Sequence, residues 1–191
     1  MDLKQIQKRL KKELDKERYI HTLSVMYTAA SLAMAHGSNL QQAMYAGLLH
    51  DCAKCIPNAK KLTQCKELGI AITETEEQNP LLLHAKLGAY LAKEQYGIDD
   101  PEILHAIQVH TTGEPNMNLL DKIIFIADYI EPYRDRAPNL AETRKLAFLD
   151  LDQALFQIME ITLNYLKNGK GRGMIDPMTQ ETYQFIRERL T

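Results

Sequence analysis

His50 and Asp51 stand side by side in AGLLHDCAK, and His21, His84, His110 and Asp128 are the other residues suited to join them around an ion. Imidazole nitrogen combined with carboxylate oxygen suits Fe, Mn, Co, Ni or Zn better than Mg or Ca. Adjacent residues on an ideal helix point about 100° apart and share no face. His50 and Asp51 therefore embrace one ion only from a helix end, with further ligands arriving from other segments. A single helical histidine is more often a surface or core residue than a ligand, and the His-Asp pair alone is a weak signal. Its surroundings strengthen it. The pair follows the apolar run Ala46, Gly47, Leu48, Leu49, and Asp128 lies between Ala127 and Tyr129 in LLDKIIFIADYI, the most apolar segment of the chain. A carboxylate in such a segment is seldom buried unless paired or metal-bound.

The elements that must bring these residues together read as helices from end to end. Leu3, Ile6, Leu10 and Leu14 recur at helical spacing. A helix from about Arg18 to His36 stops at Gly37, and Ser38 with Gln41 forms a capping-box pattern for the helix that runs into LLHD. Asn58 to Leu68 forms a short helix before Gly69. Asn79-Pro80 opens one that continues to Tyr96, and Asp100-Pro101 opens one that reaches His110. Asn118 caps the apolar segment, which is too long for a typical strand and is flanked by helices. Asn139 to Phe148, Leu151 to Lys167 and Pro177 to Leu190 complete the series. Hairpin turns, internal repeats and low-complexity linkers are absent. The spacing predicts one all-α domain of nine or ten helices.

Composition bounds the function. The chain has 191 residues, enough to bury roughly 70% of its unfolded surface in a core of its own. Lys plus Arg is 23 and Asp plus Glu is 25, a net charge of −2, where a general nucleic-acid binder should be basic. No run approaches the roughly 18 apolar residues of a membrane span, and the charged N-terminus does not read as a signal peptide. Three cysteines give no disulfide framework, which fits a cytoplasmic protein with reduced thiols. Basic residues do gather near the proposed ligands. Arg18 lies one helical turn before His21, and Arg134 lies six residues after Asp128. Lys170-Gly171-Arg172-Gly173-Met174 is a basic loop whose glycines let backbone amides approach an anion. Thr111 follows His110 and can donate a hydroxyl.

The arrangement H…HD…D resembles the signature of HD-domain metal-dependent phosphohydrolases, which are all-α. RYIHTLSV, AGLLHDCAK, LLLHAKLGAYLA, IQVHTTGEP, DKIIFIADYIEPYRDR and GKGRG extend the likeness to the YqeK-type symmetrical bis(5′-nucleosyl)-tetraphosphatases, over about Arg18 to Asp176. The resemblance implies a single HD-type domain, with a core at about 18–135 and C-terminal helices over 136–191. It implies cleavage of diadenosine tetraphosphate into two ADP, with a dinucleoside polyphosphate or nucleoside diphosphate as the small-molecule partner. It implies that His21, His50, Asp51 and Asp128 hold a metal, with iron expected first and Mn, Co or Zn as alternatives. One firmly held ion is favoured. A two-ion version recruits His84 and His110 with Asp51 bridging. Asp51, His84 and His110 are the expected catalytic set. Nucleotide and phosphate are expected against Arg18, Asp51, His84, His110, Thr111, Asp128, Arg134 and the loop from Lys170 through Gly171, Arg172, Gly173 and Met174 to Ile175. The alternatives are an HD phosphohydrolase acting on a nucleoside mono-, di- or triphosphate, and a nucleotide sensor without turnover; the intact ligand set argues against the latter. The oligomeric state is not readable.

Other features read as structural. Cys52-x-x-Cys55 lacks the four ligands of a zinc site and the βαβ context of a redox motif. His36 before Gly37 suits a helix C-terminus. His105, about 140° round a helix from His110, faces elsewhere. Met26, Met34 and Met44 read as core packing. Lys54 is placed either at the site or on the surface. The N-terminal run has seven Lys or Arg against four Asp or Glu through Arg18 and reads as a solvated face.

Overall fold

Most of the long helices begin where a short polar side chain can accept hydrogen bonds from the orphan amides of the first turn. Asp2 and Gln5 form a capping box for α1 (Leu3–Glu13), and Asp15 caps α2 (Lys16–His36), which ends at Gly37 with φ 70°. Asn39 caps α3 (Leu40–Leu49), Asp100 caps α7 (Pro101–Val109), and Asn118 with Asp121 boxes α8 (Leu119–Ile130). The computed structural model describes residues 1–168 and 175–190, and among them there are eleven helices and no strand. The remaining helices are α4 (Asn58–Glu67), α5 (Glu74–Gln78), α6 (Leu83–Tyr96), α9 (Leu140–Ala147), α10 (Leu151–Lys167) and α11 (Pro177–Leu190).

The all-α reading holds, with four local corrections. The additional helix is α5, which Thr73 and Glu76 start with their own capping box. Asn79 therefore ends α5. Residues 80–82 make a tight turn, with Leu82 N donating to Asn79 O, and α6 starts only at Leu83. Asn39, not Ser38, caps α3, because its carboxamide oxygen accepts from both Gln41 N and Gln42 N. Met34 is exposed on the outer face of α2, whereas Met26 is fully buried.

The α2, α3, α7 and α8 helices pack on one another around the main core, and α10 covers α8 while carrying α9 and α11. A smaller apolar cluster of Ala53, Cys65, Leu83 and Leu87 lies under α4 and α6. The basic N-terminal helix lies on the body: Ile6 and Leu10 are buried, and Arg9 reaches Gln95 O at 2.7 Å. Two glycines set the packing near the site. A Cβ on Gly47 would stand 2.9 Å from Met26 Cα, so α3 crosses α2 at backbone contact. Gly113 has φ +68° and a Cβ there would meet Thr182 Cγ2 at 2.8 Å, so α11 presses on the loop that follows His110.

Candidate metal centre

His50 is the C-cap of α3 and Asp51 opens the turn after it. The helix end lets the two neighbours point into one space. Around them converge His21 from mid-α2, His84 from the first turn of α6, His110 from the C-cap of α7, and Asp128 from α8. His50, Asp51, His84 and His110 are buried, and His21 and Asp128 are partly so. His21, His50 and Asp51 form one ligand group, His50, His110 and Asp128 a second, and Asp51, His84 and His110 a third.

Backbone and carboxylate acceptors fix the rings. Nδ1 of His50 donates to Gly47 O at 2.7 Å, Nδ1 of His84 to Leu81 O at 2.6 Å, and Nδ1 of His110 to Ile107 O at 2.7 Å. Nδ1 of His21 donates to Glu131 Oε1 at 3.2 Å. With Nδ1 protonated, each ring turns its Nε2 toward the centre, as second partners do for metal-binding histidines. His84 Nε2 and His110 Nε2 face each other at 3.1 Å. His21 Nε2 lies 3.0 Å from Asp128 Oδ1 and 3.8 Å from Asp51 Oδ2. Such crowding of acceptors calls for positive charge among them, either a proton or a metal ion. His21 Nε2, His50 Nε2 and Asp51 Oδ1 are buried without any hydrogen-bond partner. Unpaired buried polar atoms are costly, and the nitrogen and oxygen donors fit a divalent transition metal.

Asp51 divides the centre. Its Oδ2 lies 3.5 Å from His50 Nε2 and accepts from Arg18 Nη1 at 2.6 Å. Its Oδ1 lies 3.2 Å from His84 Nε2, 3.6 Å from His110 Nε2 and 3.6 Å from Lys54 Nζ. Burial pushes the Asp51 carboxyl up, but the charge at His50 and the close approach of the His110, His50 and His84 rings hold it well below the usual carboxylate range. Asp128 is likewise held low, where His21 and the charge at His50 outweigh burial. Burial lowers His84 to about 4 despite Asp51, so its ring is neutral near pH 7 and offers a lone pair.

Cations and hydroxyls line the approach. Arg134 Nη2 donates to Asp128 O at 2.9 Å and to Asp128 Oδ1 at 3.0 Å. Lys54 Nζ lies 3.1 Å from His84 Nε2, which places it at the site. Thr111 Oγ1 lies 3.1 Å from His84 Nε2 and 3.2 Å from His110 Nε2. A cavity of about 830 Å³ opens here, bounded by His110, Thr111, Asp128 and Arg134 at one end and by Phe125, Ile158 and Tyr165 at the other. Ile175 is half-buried, whereas Lys170, Gly171, Arg172, Gly173 and Met174 lie outside the described residues. His36 donates instead to Ala147 O at 2.7 Å, and His105 bridges Asp121 and Glu114, so neither points at the centre. All three thiols are pushed up, first by burial, which fits inert cysteines.

Sequence reasoning missed Glu131 and Arg144. Glu131 is 3% exposed and holds His21, and Arg144 holds the carbonyls of Ile130, Glu131 and Arg134 at 2.9 Å each. A glutamate next to a proline, just past the apolar helix, was the available signal for the first. Arg144 had none, because its partners are backbone atoms.

The HD domain model matches residues 18–133, a span that holds every one of the converging histidines and aspartates. The chain belongs to the HD-domain family. It is also 41% identical over 177 residues to the symmetrical bis(5′-nucleosyl)-tetraphosphatase of Bacillus subtilis, covering 93% of each chain. It is 40% identical to the enzyme of the same name from Halalkalibacterium halodurans, covering 91% of each. Among solved structures, a predicted HD superfamily hydrolase from Clostridium acetobutylicum, described as involved in NAD metabolism, superposes with a TM-score of 0.94. That protein is 39% identical, with 99% of this chain and 98% of that chain covered.

Proposed function

We propose that this HD-domain protein hydrolyses a dinucleoside tetraphosphate at its central anhydride, taking up one water and releasing two nucleoside diphosphates. The observation that carries the reading is the six-residue centre with two orphaned Nε2 atoms and one orphaned carboxylate oxygen, flanked by three cations and opening into a cavity of about 830 Å³. Relatives that bear this activity in their names and align over nearly their whole length support it.

His21, His50, Asp51 and Asp128 would hold the metal, iron in the first instance and Mn, Co or Zn otherwise. A divalent ion in such a set lowers the pKa of bound water toward neutrality and offsets phosphate charge. The chain's own groups do the rest. Arg18, Arg134 and Lys54 bind and neutralise the polyphosphate, whose charge otherwise repels a nucleophile. His84, His110 and Thr111 contact the phosphate on the Oδ1 side of Asp51. The ammonium of Lys54 already supplies positive charge on that side, which favours one firmly bound ion over two. The cavity beyond His110 takes one nucleoside, against Tyr165 and Ile158, and nucleotide contacts from Lys170 to Ile175 are part of the same proposal. The protein works in the cytoplasm on small nucleotides; among the described residues no helix is long and apolar enough to cross a membrane.

Incubating the metal-loaded protein with diadenosine tetraphosphate and separating the products tests the reading. ADP as the sole product is expected, with one ion per chain by elemental analysis. ATP with AMP, or no cleavage, overturns the symmetrical assignment.

A further inference from the structure

A dinucleotide cut at its middle has two nucleosides to place, and the large cavity accounts for one. On the opposite side of the centre lies a second cavity of about 530 Å³, bounded by Asp15, Glu17, Arg18, His21, Tyr133 and Arg134. Its volume falls within the range of small-ligand sites. The two cavities share Arg134, and each borders a different part of the ligand set, His21 here and His110 with Asp128 there. The Nε of Arg134 is buried and has no hydrogen-bond partner, so a donor between the two cavities is left for an anion.

Charge runs along the second cavity in one direction. Arg18 and Arg134 stand at its inner end, where they touch Asp51 and Asp128, and the Glu131 carboxylate that also lines it is already engaged by His21 Nδ1 and Tyr133 N. Asp15, Glu17 and Asp135 stand at its outer end, and Asp135 is exposed. That gradient suits a ligand with phosphates inward and an uncharged sugar and base outward. The outer wall carries Tyr133, whose residue is 70% exposed. An aromatic so exposed has no role in the core. Its backbone is nonetheless held firmly: Tyr133 N donates to Glu131 Oε2 at 2.7 Å, Arg134 N donates to Glu131 O at 3.0 Å, and Arg144 clamps the carbonyls on either side. A solvent-facing ring on so firmly held a backbone, beside the proposed polyphosphate site, is a stacking platform for a base.

From this we infer that the cavity between Arg18 and Tyr133 receives the second nucleoside of the substrate, with Tyr133 stacking on its base. The inference rests on the dinucleotide reading above. Its consequence is specificity for dinucleoside over mononucleoside polyphosphates, through one exposed residue that touches none of the metal ligands.

The test compares the metal-loaded native protein with Tyr133→Ala and Tyr133→Phe, on diadenosine tetraphosphate and on adenosine 5′-tetraphosphate as substrate or competitor. Tyr133→Ala is expected to raise KM for the dinucleotide about ten-fold with kcat within about two-fold, the loss of one base–aromatic stack. The apparent affinity for adenosine 5′-tetraphosphate, which has a single nucleoside, should fall less than about two-fold. Tyr133→Phe should keep the native KM. Equal losses on both nucleotides, or no change in KM with Tyr133→Ala, overturn the inference. If the native protein releases no ADP from the dinucleotide, the functional reading fails instead, whatever Tyr133 does.

Discussion

At the scale of single residues, the centre depends on second partners as much as on ligands. His21 has a usable Nε2 because Glu131 Oε1 accepts the hydrogen bond of its Nδ1–H, at 3.2 Å. Glu131→Gln leaves the volume unchanged but removes the charge that fixes this orientation. Metal affinity, measured by competition with a chelator, should fall about 10–100-fold, with the fold retained by circular dichroism. His105 gives a prediction of another kind. Burial lowers its pKa, but the hydrogen bond and charge of Asp121 and the charge of Glu114 outweigh that, and the net shift is upward from 6.5. A group whose folded pKa is raised adds stability below its unfolded pKa and loses it as pH rises through the folded value. His105→Gln should therefore lower Tm by about 2 °C at pH 6, a modest effect because the pair is partly exposed. By pH 9 the two thermal midpoints should coincide. A gap that persists at pH 9 would assign His105 a packing role only.

At the scale of elements, helix ends carry the chemistry. His50 and His110 are C-caps, His84 lies in a first turn, and Asp51 sits in the turn that follows α3. Termini allow neighbours to diverge from helical spacing, which is how His50 and Asp51 reach one space. Their position depends on how closely α3 approaches α2, and Gly47 sets that distance. Gly47→Ala puts a Cβ 2.9 Å from Met26 Cα, a backbone clash that no rotamer relieves. The cost should be about 1–3 kcal/mol, read as a fall of about 3–10 °C in Tm. Because Gly47 O also fixes Nδ1 of His50, weaker metal binding should accompany it. Unchanged stability and unchanged metal affinity together would show that α2 and α3 can separate freely.

At the scale of the whole molecule, five segments far apart in sequence deliver like-natured acceptors to one place. Without a cation these groups repel one another and three polar atoms stay unsatisfied. A metal that binds the folded chain and not the unfolded one stabilises it by mass action, by about 2.7 kcal/mol at a hundred-fold excess over Kd. Saturating Fe²⁺ or Mn²⁺ should raise Tm by about 5–10 °C over the chelator-treated protein. Mg²⁺ should do little, since imidazole ligands disfavour it. Equal thermal midpoints with and without transition metal would count against a preformed site.

The chain's sequence by itself determined that it is helical, where most helices begin, and which residue types could form the centre. Those properties are local: periodicity of apolar residues, capping side chains and the affinity of imidazole and carboxylate for metals need only neighbouring residues. The short helix over Glu74–Gln78 and the displaced start at Leu83 escaped because the Thr73–Glu76 capping box opens a helix of its own, which Asn79 closes instead of capping the next. Only the tertiary structure decided that Asp51 faces two histidine pairs, that Lys54 belongs to the site, that Glu131 and Arg144 hold the ADYIEP turn, and that a second cavity lies behind His21. Each of these is a distance between segments ten to more than a hundred residues apart. Such distances follow from how whole helices pack, a sum over many weak contacts that no short stretch of sequence contains.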